Sequence, residues 1–256
     1  MEIASDVARF NQTISDAVSS RQTPRHSKHS GPRIFEPVRN NRAPIRSQIV
    51  ATLREAIASG VLQPGQILGE KGLCQELGAS RTSIREALRC LVSEKLMVTL
   101  PGGRMSVSDV CMRDVEAIYG LLSVLTIEAV KDFLKVDNVA KTTSDLKLLQ
   151  SIFVQFRNAV RSAEAPKSIK LSSCFHDSLL TCCGNTMMSE IIKNLFTRIG
   201  FLRMKILSDM QHARTNVAIL HKLLSALRAR NFEDTQLAVT HYFQAELQAA
   251  LSMMSQ

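Results

Sequence analysis

The chain has 256 residues, which is long enough for one large domain or two modest domains with hydrophobic cores. Hydrophobic residues make up 45% and charged residues 21%, so most of the chain is expected to be globular. The formal net charge of +9 favours an acidic partner such as nucleic acid. The longest apolar run, 117–130, is too short to cross a bilayer and no export signal is evident, so we expect a cytoplasmic protein.

Residues 1–43 are predicted to form a disordered basic tail. The stretch 19–33 is rich in serine and basic residues and has almost no apolar side chains to bury. Such a tail is either a solvated extension or a source of additional phosphate contacts beside a DNA-binding domain.

Three helices are predicted to follow the tail, over 44–60, 69–78 and 80–96. In the first of them, apolar residues recur at every fourth position: Ile45, Ile49, Leu53 and Ile57. Glycines suit the positions just after the first two helices, at Gly60 and Gly78. We therefore expect two turns and a third, longer helix with an apolar side.

A short β-hairpin is predicted after the third helix. Two strands flank a turn at Pro101, Gly102 and Gly103, and Arg104 lies at the tip of the hairpin. Three helices followed by a small hairpin are the plan of a winged helix-turn-helix DNA-binding domain. We predict such a domain for residues 44–110.

The remaining region, 111–256, shows a helical pattern throughout, interrupted only by short polar breaks. The predicted fold class is therefore mostly α, with an N-terminal winged helix-turn-helix domain followed by an all-α bundle of about six helices. The predicted helices of the bundle cover 112–135, 139–163, 166–183, 186–208, 212–230 and 232–254.

The third helix carries a row of cations. Arg81, Arg85 and Arg89 are four residues apart, so they share one stripe of the helix, beside the apolar stripe. Hydroxyl groups cluster at the N-terminal tip: Ser80, which suits the N-cap, Thr82 and Ser83. Arginine can hold guanine through two parallel hydrogen bonds. The pattern predicts that Arg81 and Arg85 read base edges and that Arg89 lies nearer the DNA backbone, the alternative being a solvated basic face.

Residues 65–98 resemble the DNA-binding domain of the GntR family of bacterial repressors, above all in the sequence SRTSIREAL. The resemblance implies base and phosphate contacts from the second and third helices and a glycine in the wing. One departure is Lys95, which stands where the family usually has a glycine. The DNA-binding residues that we predict are Lys71, Ser80, Arg81, Thr82, Ser83, Arg85, Arg89, Gly102, Gly103 and Arg104.

The helical region resembles the FCD domain, the effector-binding domain of the fatty-acid-responsive branch of this family. Residues 172–192 and 225–243 carry the similarity. FCD domains usually bind a divalent metal through an aspartate and three histidines, beside a small carboxylic acid held by an arginine. The resemblance therefore implies a metal and an organic acid in the bundle.

Only part of the metal-ligand set is present. His176 matches the first histidine and His241 the last, whereas His221 is next to Leu220, where the middle histidine is expected. Ser172 stands at the place of the aspartate, and a hydroxyl is a poor ligand for a borderline divalent metal. The resemblance thus implies an incomplete site for zinc, nickel or manganese.

The arginine that holds the acid is also replaced. In the family, the first bundle helix usually carries an R..LE pattern whose arginine holds the acid. Here Leu122 and Thr126 lie near the places of that pattern. Arg198 and Arg203, on a later helix, are candidate substitutes, because a buried carboxylate needs a bidentate partner. With Ser172 they make up the predicted effector-binding residues.

We therefore predict a dimeric, sequence-specific transcriptional regulator whose affinity for double-stranded DNA is controlled by a small carboxylate-like effector. The apolar helix at 115–130 could supply part of the dimer contact. The alternative is a regulator with a degenerate pocket, whose bundle serves dimerisation, docking of a protein partner or a thiol redox switch at its cysteines. An enzyme is disfavoured, because Cys174 and His176 are two residues apart on a helix and point in different directions.

Overall fold

The computed structural model describes residues 44–255, so the predicted tail lies outside the described residues. The fold is mostly α-helical, with a winged helix-turn-helix region followed by a helical bundle, as the sequence predicts. The helices are α1 Ile45–Ala58, α2 Glu70–Leu77, α3 Arg81–Ser93, α4 Met112–Lys135, α5 Val139–Arg161, α6 Ala165–Cys183, α7 Thr186–Arg198, α8 Gly200–Ser208, α9 Met210–Arg228 and α10 Phe232–Met254. The strands are β1 Ile67–Leu68, β2 Met97–Thr99 and β3 Met105–Val107.

The first three helices and the strands enclose a core of their own. The apolar stripe of α3 packs against α1, and Ile84 and Leu88 are completely buried. Burying a side chain of this size contributes roughly 1.5–3 kcal/mol, so this packing determines which face of α3 stays exposed. The strands form one antiparallel sheet in the order β1-β3-β2, with Met97 opposite Val107. The sequence did not predict β1, because two residues are too few to show an alternation.

The two glycines predicted to follow the ends of the first two helices are confirmed. Gly60 and Gly78 have φ angles of 72° and 65°, in the left-handed region that glycine adopts without a steric penalty. The second of these glycines ends α2 and turns the chain directly into α3. There Ser80 is the N-cap, and its Oγ accepts a hydrogen bond from the backbone N–H of Ser83 at 3.2 Å.

Helices α4 to α10 form the bundle. α4 packs against α10, α5 packs against α6, and α9 lies against both α5 and α10. The short helix α8 contacts α6, α9 and α10, so it lies inside the bundle. The core is rich in phenylalanine, and the fully buried rings are those of Phe133, Phe153, Phe156 and Phe175.

One predicted helix, 186–208, is two helices in the structure. The chain leaves helical geometry at Ile199, and α8 begins at Gly200. A Cβ atom at Gly200 would lie 2.7 Å from the Cα of Ala58, at the end of α1. Glycine is therefore required by the close approach of two backbones. The described part of the bundle has seven helices instead of the predicted six.

The same contact joins α8 to the N-terminal region. α1 packs against both α7 and α8. A Cβ atom at Gly60 would lie 2.9 Å from Cε of Met204 and 3.4 Å from Cδ2 of Phe201. Val110, which the predicted boundary assigns to the first domain, packs in the core of the bundle. The other predicted domain limits stay predictions.

Candidate functional site

The basic face of α3 lies on the surface. Arg81, Arg85 and Arg89 are exposed, on the side of the helix next to the buried apolar stripe. Neither Arg81 nor Arg89 takes part in an ion pair with another residue in 44–255. Two guanidinium groups of this row are therefore available to an external anion.

Arg85 is held by a carboxylate of the preceding helix. Its Nε lies 2.8 Å and 2.9 Å from the two carboxylate oxygens of Glu70, and this hydrogen bond raises the pKa of Arg85. The ion pair uses Nε, so the terminal nitrogens have no hydrogen-bond partner within the described chain. Glu70 thus orients Arg85 while leaving its outer edge open to a base or a phosphate.

The tip of α3 and the wing complete the surface. Thr82 is exposed, whereas the hydroxyl groups of Ser80 and Ser83 are 3.0 Å apart and partly occupied with each other. Gly102 and Gly103 have φ angles of 80° and 77° at the tip of the β2–β3 hairpin, where a side chain would meet open space. The remaining predicted DNA contacts, Lys71 and Arg104, are exposed.

The backbone conformation at Lys95 accounts for the glycine that the family usually has at this position. Its φ angle is 59°, in the left-handed region that a glycine at this position would adopt without strain. The chain therefore keeps the backbone turn between α3 and β2 and tolerates a lysine there.

The predicted metal ligands do not come together. His176 is buried on α6, whereas His241 is exposed on α10, and His221 is exposed on α9 with its ring centroid 5.9 Å from that of Phe153. Within residues 44–255, no group of three His, Cys, Asp or Glu side chains is placed to hold a metal ion. The predicted three-histidine set is therefore wrong.

The error at His241 is a shift of one residue, which corresponds to about 100° around a helix. The inward position is taken by Tyr242, whose ring centroid is 4.8 Å from that of His176. Leu220, one residue before His221, is likewise buried. Side chains that cannot act as good metal ligands thus occupy the inward places.

A cluster of buried polar side chains surrounds His176, and we call it the buried polar cluster. Its members come from five helices of the bundle and are all at least nine-tenths buried. They are Tyr119, Ser172, His176, Arg203, Asn216, Tyr242 and Glu246. Ser172, His176 and Arg203 were predicted from the sequence as site residues, whereas Tyr119, Asn216, Tyr242 and Glu246 were not.

Glu246 is the hydrogen-bond acceptor of this cluster. Nδ2 of Asn216 donates to its Oε1 at 2.6 Å, and the hydroxyl of Tyr119 donates to its Oε2 at 3.5 Å. Nε2 of His212, at the edge of the cluster, lies 3.2 Å from Oε1. Three groups therefore hold a carboxylate that is almost completely withdrawn from water. The spacing of Tyr242 and Glu246, four residues apart on α10, was the available sequence signal.

Other polar atoms of the cluster make no hydrogen bond of ordinary geometry within the described chain, although the hydroxyl of Tyr242 lies near Ser172 and Arg203. They belong to the side chains Ser172, His176, Arg203, Asn216 and Tyr242. Burial, with a smaller contribution from the charge of Arg203, lowers the pKa of His176 to about 3, so the imidazole is neutral near pH 7. Unpaired buried polar groups are rare in native proteins and are often found at ligand sites.

The two predicted arginines differ in position. Arg203 lies in the buried polar cluster, with its guanidinium carbon 4.2 Å from the ring centroid of Phe196. Arg198 is only partly buried and lies near Asp114, at the start of α4. Nε of Arg198 is also buried without a hydrogen-bond partner among the described residues, but of the two arginines only Arg203 lies in the buried polar cluster.

Three cysteines of the bundle have the environment of thiols and not of thiolates. Burial raises the pKa of Cys182 to about 11 and that of Cys183 to about 12, and it also raises the pKa of Cys174. The thiolate is the reactive form of cysteine. This environment disfavours a redox switch through these three residues.

The exposed arginine row, the capped tip of α3 and the hairpin with its two glycines define a winged-helix DNA-binding protein, and a helical bundle follows the winged helix. The sequence pattern of the gntR family of bacterial regulatory proteins matches residues 45–107, and that of the FCD domain matches residues 138–245. The chain belongs to this family and carries an FCD domain. No helix within residues 44–255 combines the length and apolarity needed to span a bilayer.

Similar proteins are regulators as well. The HTH-type transcriptional regulator McbR of Escherichia coli K12 is 27% identical over 204 residues, which are 78% of this chain and 90% of McbR. The gluconate operon transcriptional repressor of Bacillus subtilis 168 is 25% identical over 149 residues, 58% of this chain and 59% of the repressor. The solved structure of E. coli McbR/YncC has the same fold, with a TM-score of 0.73 and 23% identity, covering 83% of this chain and 99% of that one. The protein is a DNA-binding transcriptional regulator and not an enzyme.

Proposed function

We propose that the protein is a homodimeric, cytoplasmic repressor that reads a specific operator, and that a small carboxylate-like effector controls its affinity for DNA. The observation that carries sequence-specific reading is the row of arginines on the exposed face of α3, next to the wing. The name of the gluconate operon repressor from B. subtilis supports repression as the outcome of binding.

The arrangement of α3 fits the major groove. Its capped N-terminus carries Arg81 and Thr82 at the tip, the part of a recognition helix that reaches base edges. Arg85 is oriented by Glu70 and presents its terminal nitrogens outward. Arg89, two turns along the helix, is placed for a phosphate of the DNA backbone.

A dimer follows from the geometry of DNA reading, because one recognition helix covers too few base pairs for tight binding. α4 offers a surface for a second copy of the chain. Its residues Leu121 and Val124 are 52% and 65% exposed and lie on one side of the helix together with Ala117. Replacing both Leu121 and Val124 by Glu is expected to shift the sedimentation of the protein from dimer to monomer, and Leu148→Glu, an equally exposed leucine on α5, is the control.

Effector control is assigned to the bundle. The buried polar cluster has unpaired polar atoms on Ser172 and Arg203, which suit a carboxylate. The second candidate role of the bundle is docking of a protein partner, which the degenerate metal-ligand set favours. A change in operator affinity on adding an organic acid to purified protein separates the two.

DNA reading is tested by fluorescence anisotropy with DNA from upstream of the protein's own gene. Arg81→Ala is expected to weaken operator binding by roughly 5- to 150-fold, the equivalent of about 1–3 kcal/mol for a bidentate base contact. Arg89→Ala is expected to weaken binding to operator and random DNA to the same degree. Arg161→Ala, an exposed arginine of the bundle, is the control. Undiminished operator affinity in Arg81→Ala would refute this reading of α3.

A further inference from the structure

The family implies a divalent metal in the bundle, and the residues at its place do not fit one. At the four places where the family has its ligands, the inward side chains are Ser172, His176, Leu220 and Tyr242, of which only His176 is a good ligand. The carboxylate of Glu246 is already held by Asn216 and Tyr119. Burial raises the pKa of Tyr242, so this side chain stays a neutral phenol. A divalent ion would also lie near the buried cation Arg203, at a cost in electrostatic free energy that the remaining ligands cannot offset.

Arg203 already supplies a positive charge at this place. The residue is 7% exposed, and its guanidinium carbon lies over the ring of Phe196, 4.2 Å from the centroid. Nε and Nη2 make no hydrogen bond of ordinary geometry among residues 44–255, although Arg203 lies near the hydroxyl of Tyr242. These two nitrogens form one edge of the guanidinium group, so the unpaired donors lie side by side.

The same edge of another arginine holds a carboxylate in this protein. Nε and Nη2 of Arg54 donate to the two oxygens of Glu94 at 3.1 Å and 2.8 Å. This is the bidentate geometry that makes arginine a strong carboxylate partner. Arg203 thus presents, unpaired and buried, the edge that Arg54 uses.

Further unpaired polar atoms lie around Arg203. Oγ of Ser172, Nε2 of His176 and the hydroxyl of Tyr242 make no hydrogen bond of ordinary geometry within the described chain. Ser172 and Arg203 nevertheless lie close enough to the hydroxyl of Tyr242 to counteract the rise in its pKa. Glu246 lies on the other side of the cluster and is held by Asn216 and Tyr119. Because Glu246 already places one negative charge near Arg203, a ligand with one carboxylate is favoured over a ligand with two.

We propose that Arg203 takes the place of the family's metal ion, so that the buried polar cluster binds a small monocarboxylate directly and without a metal. The inference rests on the effector control proposed above and names the group that carries it. Ser172, His176 and Tyr242 hydrogen-bond the ligand, and Arg203 neutralises its charge.

The position of Arg203 also provides a path to the DNA-binding region. Arg203 belongs to α8, whose Gly200, Phe201 and Met204 contact the end of α1 on another side of the helix. A carboxylate bound by Arg203 therefore acts on the same nine-residue helix that supports α1. A small displacement of α8 changes the position of α1, against which α3 packs.

The test uses the full chain, dialysed against EDTA, with its metal content measured by elemental analysis. Thermal unfolding is recorded with sodium salts of monocarboxylates of two to six carbons, and with the corresponding primary amides as uncharged controls. We expect at least one acid to raise Tm by roughly 5 °C or more at about 100 times its Kd. The amide should have no effect, and neither added zinc, nickel and manganese nor EDTA should alter the shift.

Variants identify the group responsible. Arg203→Gln is expected to abolish the shift in Tm, and Arg203→Lys to weaken binding at least tenfold, because lysine lacks the planar edge. Arg198→Gln, which alters an arginine outside the cluster, is the matched control and should keep the shift. If Arg203→Gln fails to fold, the metal-independence of the shift in the unaltered chain and the behaviour of Arg203→Lys still decide the question.

The outcomes separate this inference from the proposed function. A shift that appears only with a metal ion, or an equal shift in Arg203→Gln, overturns the role of Arg203 and leaves effector control in place. An absence of any shift, with or without metal, while operator binding is intact, overturns effector control and this inference with it, and leaves DNA reading in place.

Discussion

The arginine face of α3 and the buried polar cluster are both built from charged and polar side chains on helices, but they differ in how their members depend on one another. On α3, the side chains point into water, and the scaffold beneath them is apolar and complete without them. In the bundle, the polar groups replace apolar packing, and Asn216, Tyr119 and Glu246 depend on one another for hydrogen bonds. The effects of substitutions on the free energy of unfolding should therefore be additive on the face of α3 and cooperative in the buried polar cluster.

The largest expected effect is the loss of Glu246. Glu246→Ala removes the acceptor of Asn216 and Tyr119 and leaves Arg203 as an uncompensated buried cation. We expect the free energy of unfolding in urea to fall by about 3–5 kcal/mol. Arg81→Ala, on the exposed face, should change it by no more than about 0.5 kcal/mol. Equal losses in the two variants would remove the distinction between the two regions.

The pH dependence of stability tests the same cluster. Burial first, and then Arg203, lower the pKa of His176 from 6.5 to about 3. Below pH 6.5 the unfolded chain binds a proton at this residue and the folded chain does not, so stability falls as the pH drops from 6.5 towards 3. The slope attributable to His176 is about 1.4 kcal/mol per pH unit. It should vanish in His176→Gln and persist in His221→Gln, whose histidine is exposed.

A smaller effect is expected at the contact between the two regions. Gly200→Ala forces a methyl group against the backbone of Ala58 and is expected to cost about 1–3 kcal/mol. Gly120→Ala, at an exposed helical position with open space around it, should instead stabilise the protein by roughly 0.5–1 kcal/mol. Chemical denaturation of the two variants shows whether alanine at Gly200 is disfavoured by lack of space. If helix propensity alone mattered, both variants would be stabilised.

The smallest expected effect lies on the exposed face. Glu70→Gln frees Arg85, and because exposed ion pairs contribute about 0–1 kcal/mol, the preference for operator over random DNA should fall by no more than about fivefold. Glu86→Gln makes the same change of charge on α3 without disturbing Arg85. A larger loss of preference in Glu86→Gln than in Glu70→Gln would contradict an orienting role for Glu70.

The sequence was a good guide wherever local rules decide the structure. The spacing of Ile84 and Leu88, the glycine at Gly78 and the cap at Ser80 predicted α3 and its exposed row of arginines correctly. These features depend on helix periodicity and on the chemistry of turns, which act within a few residues. The DNA contacts assigned to this surface stay predictions.

The buried polar cluster was harder to predict because it depends on long-range packing. A shift of one residue separates His241 from Tyr242, and nothing local in α10 shows which of them faces inward. The division of 186–208 at Ile199 depends on the approach of Ala58, more than a hundred positions earlier in the chain. Glu246 carries no signal by itself, since a lone acidic residue on a helix is usually exposed.

The contact between α8 and α1 has a consequence for building hybrid regulators. Joining this winged helix to the bundle of another family member would keep the chain continuous near Val110, but it would separate Gly60 and Ala58 from the glycine and methionine that they fit. A hybrid of this kind would bind both operator and ligand, but ligand binding would not change its affinity for the operator. Transplanting α7 and α8 together with α1 is the smallest exchange that preserves the matched surfaces.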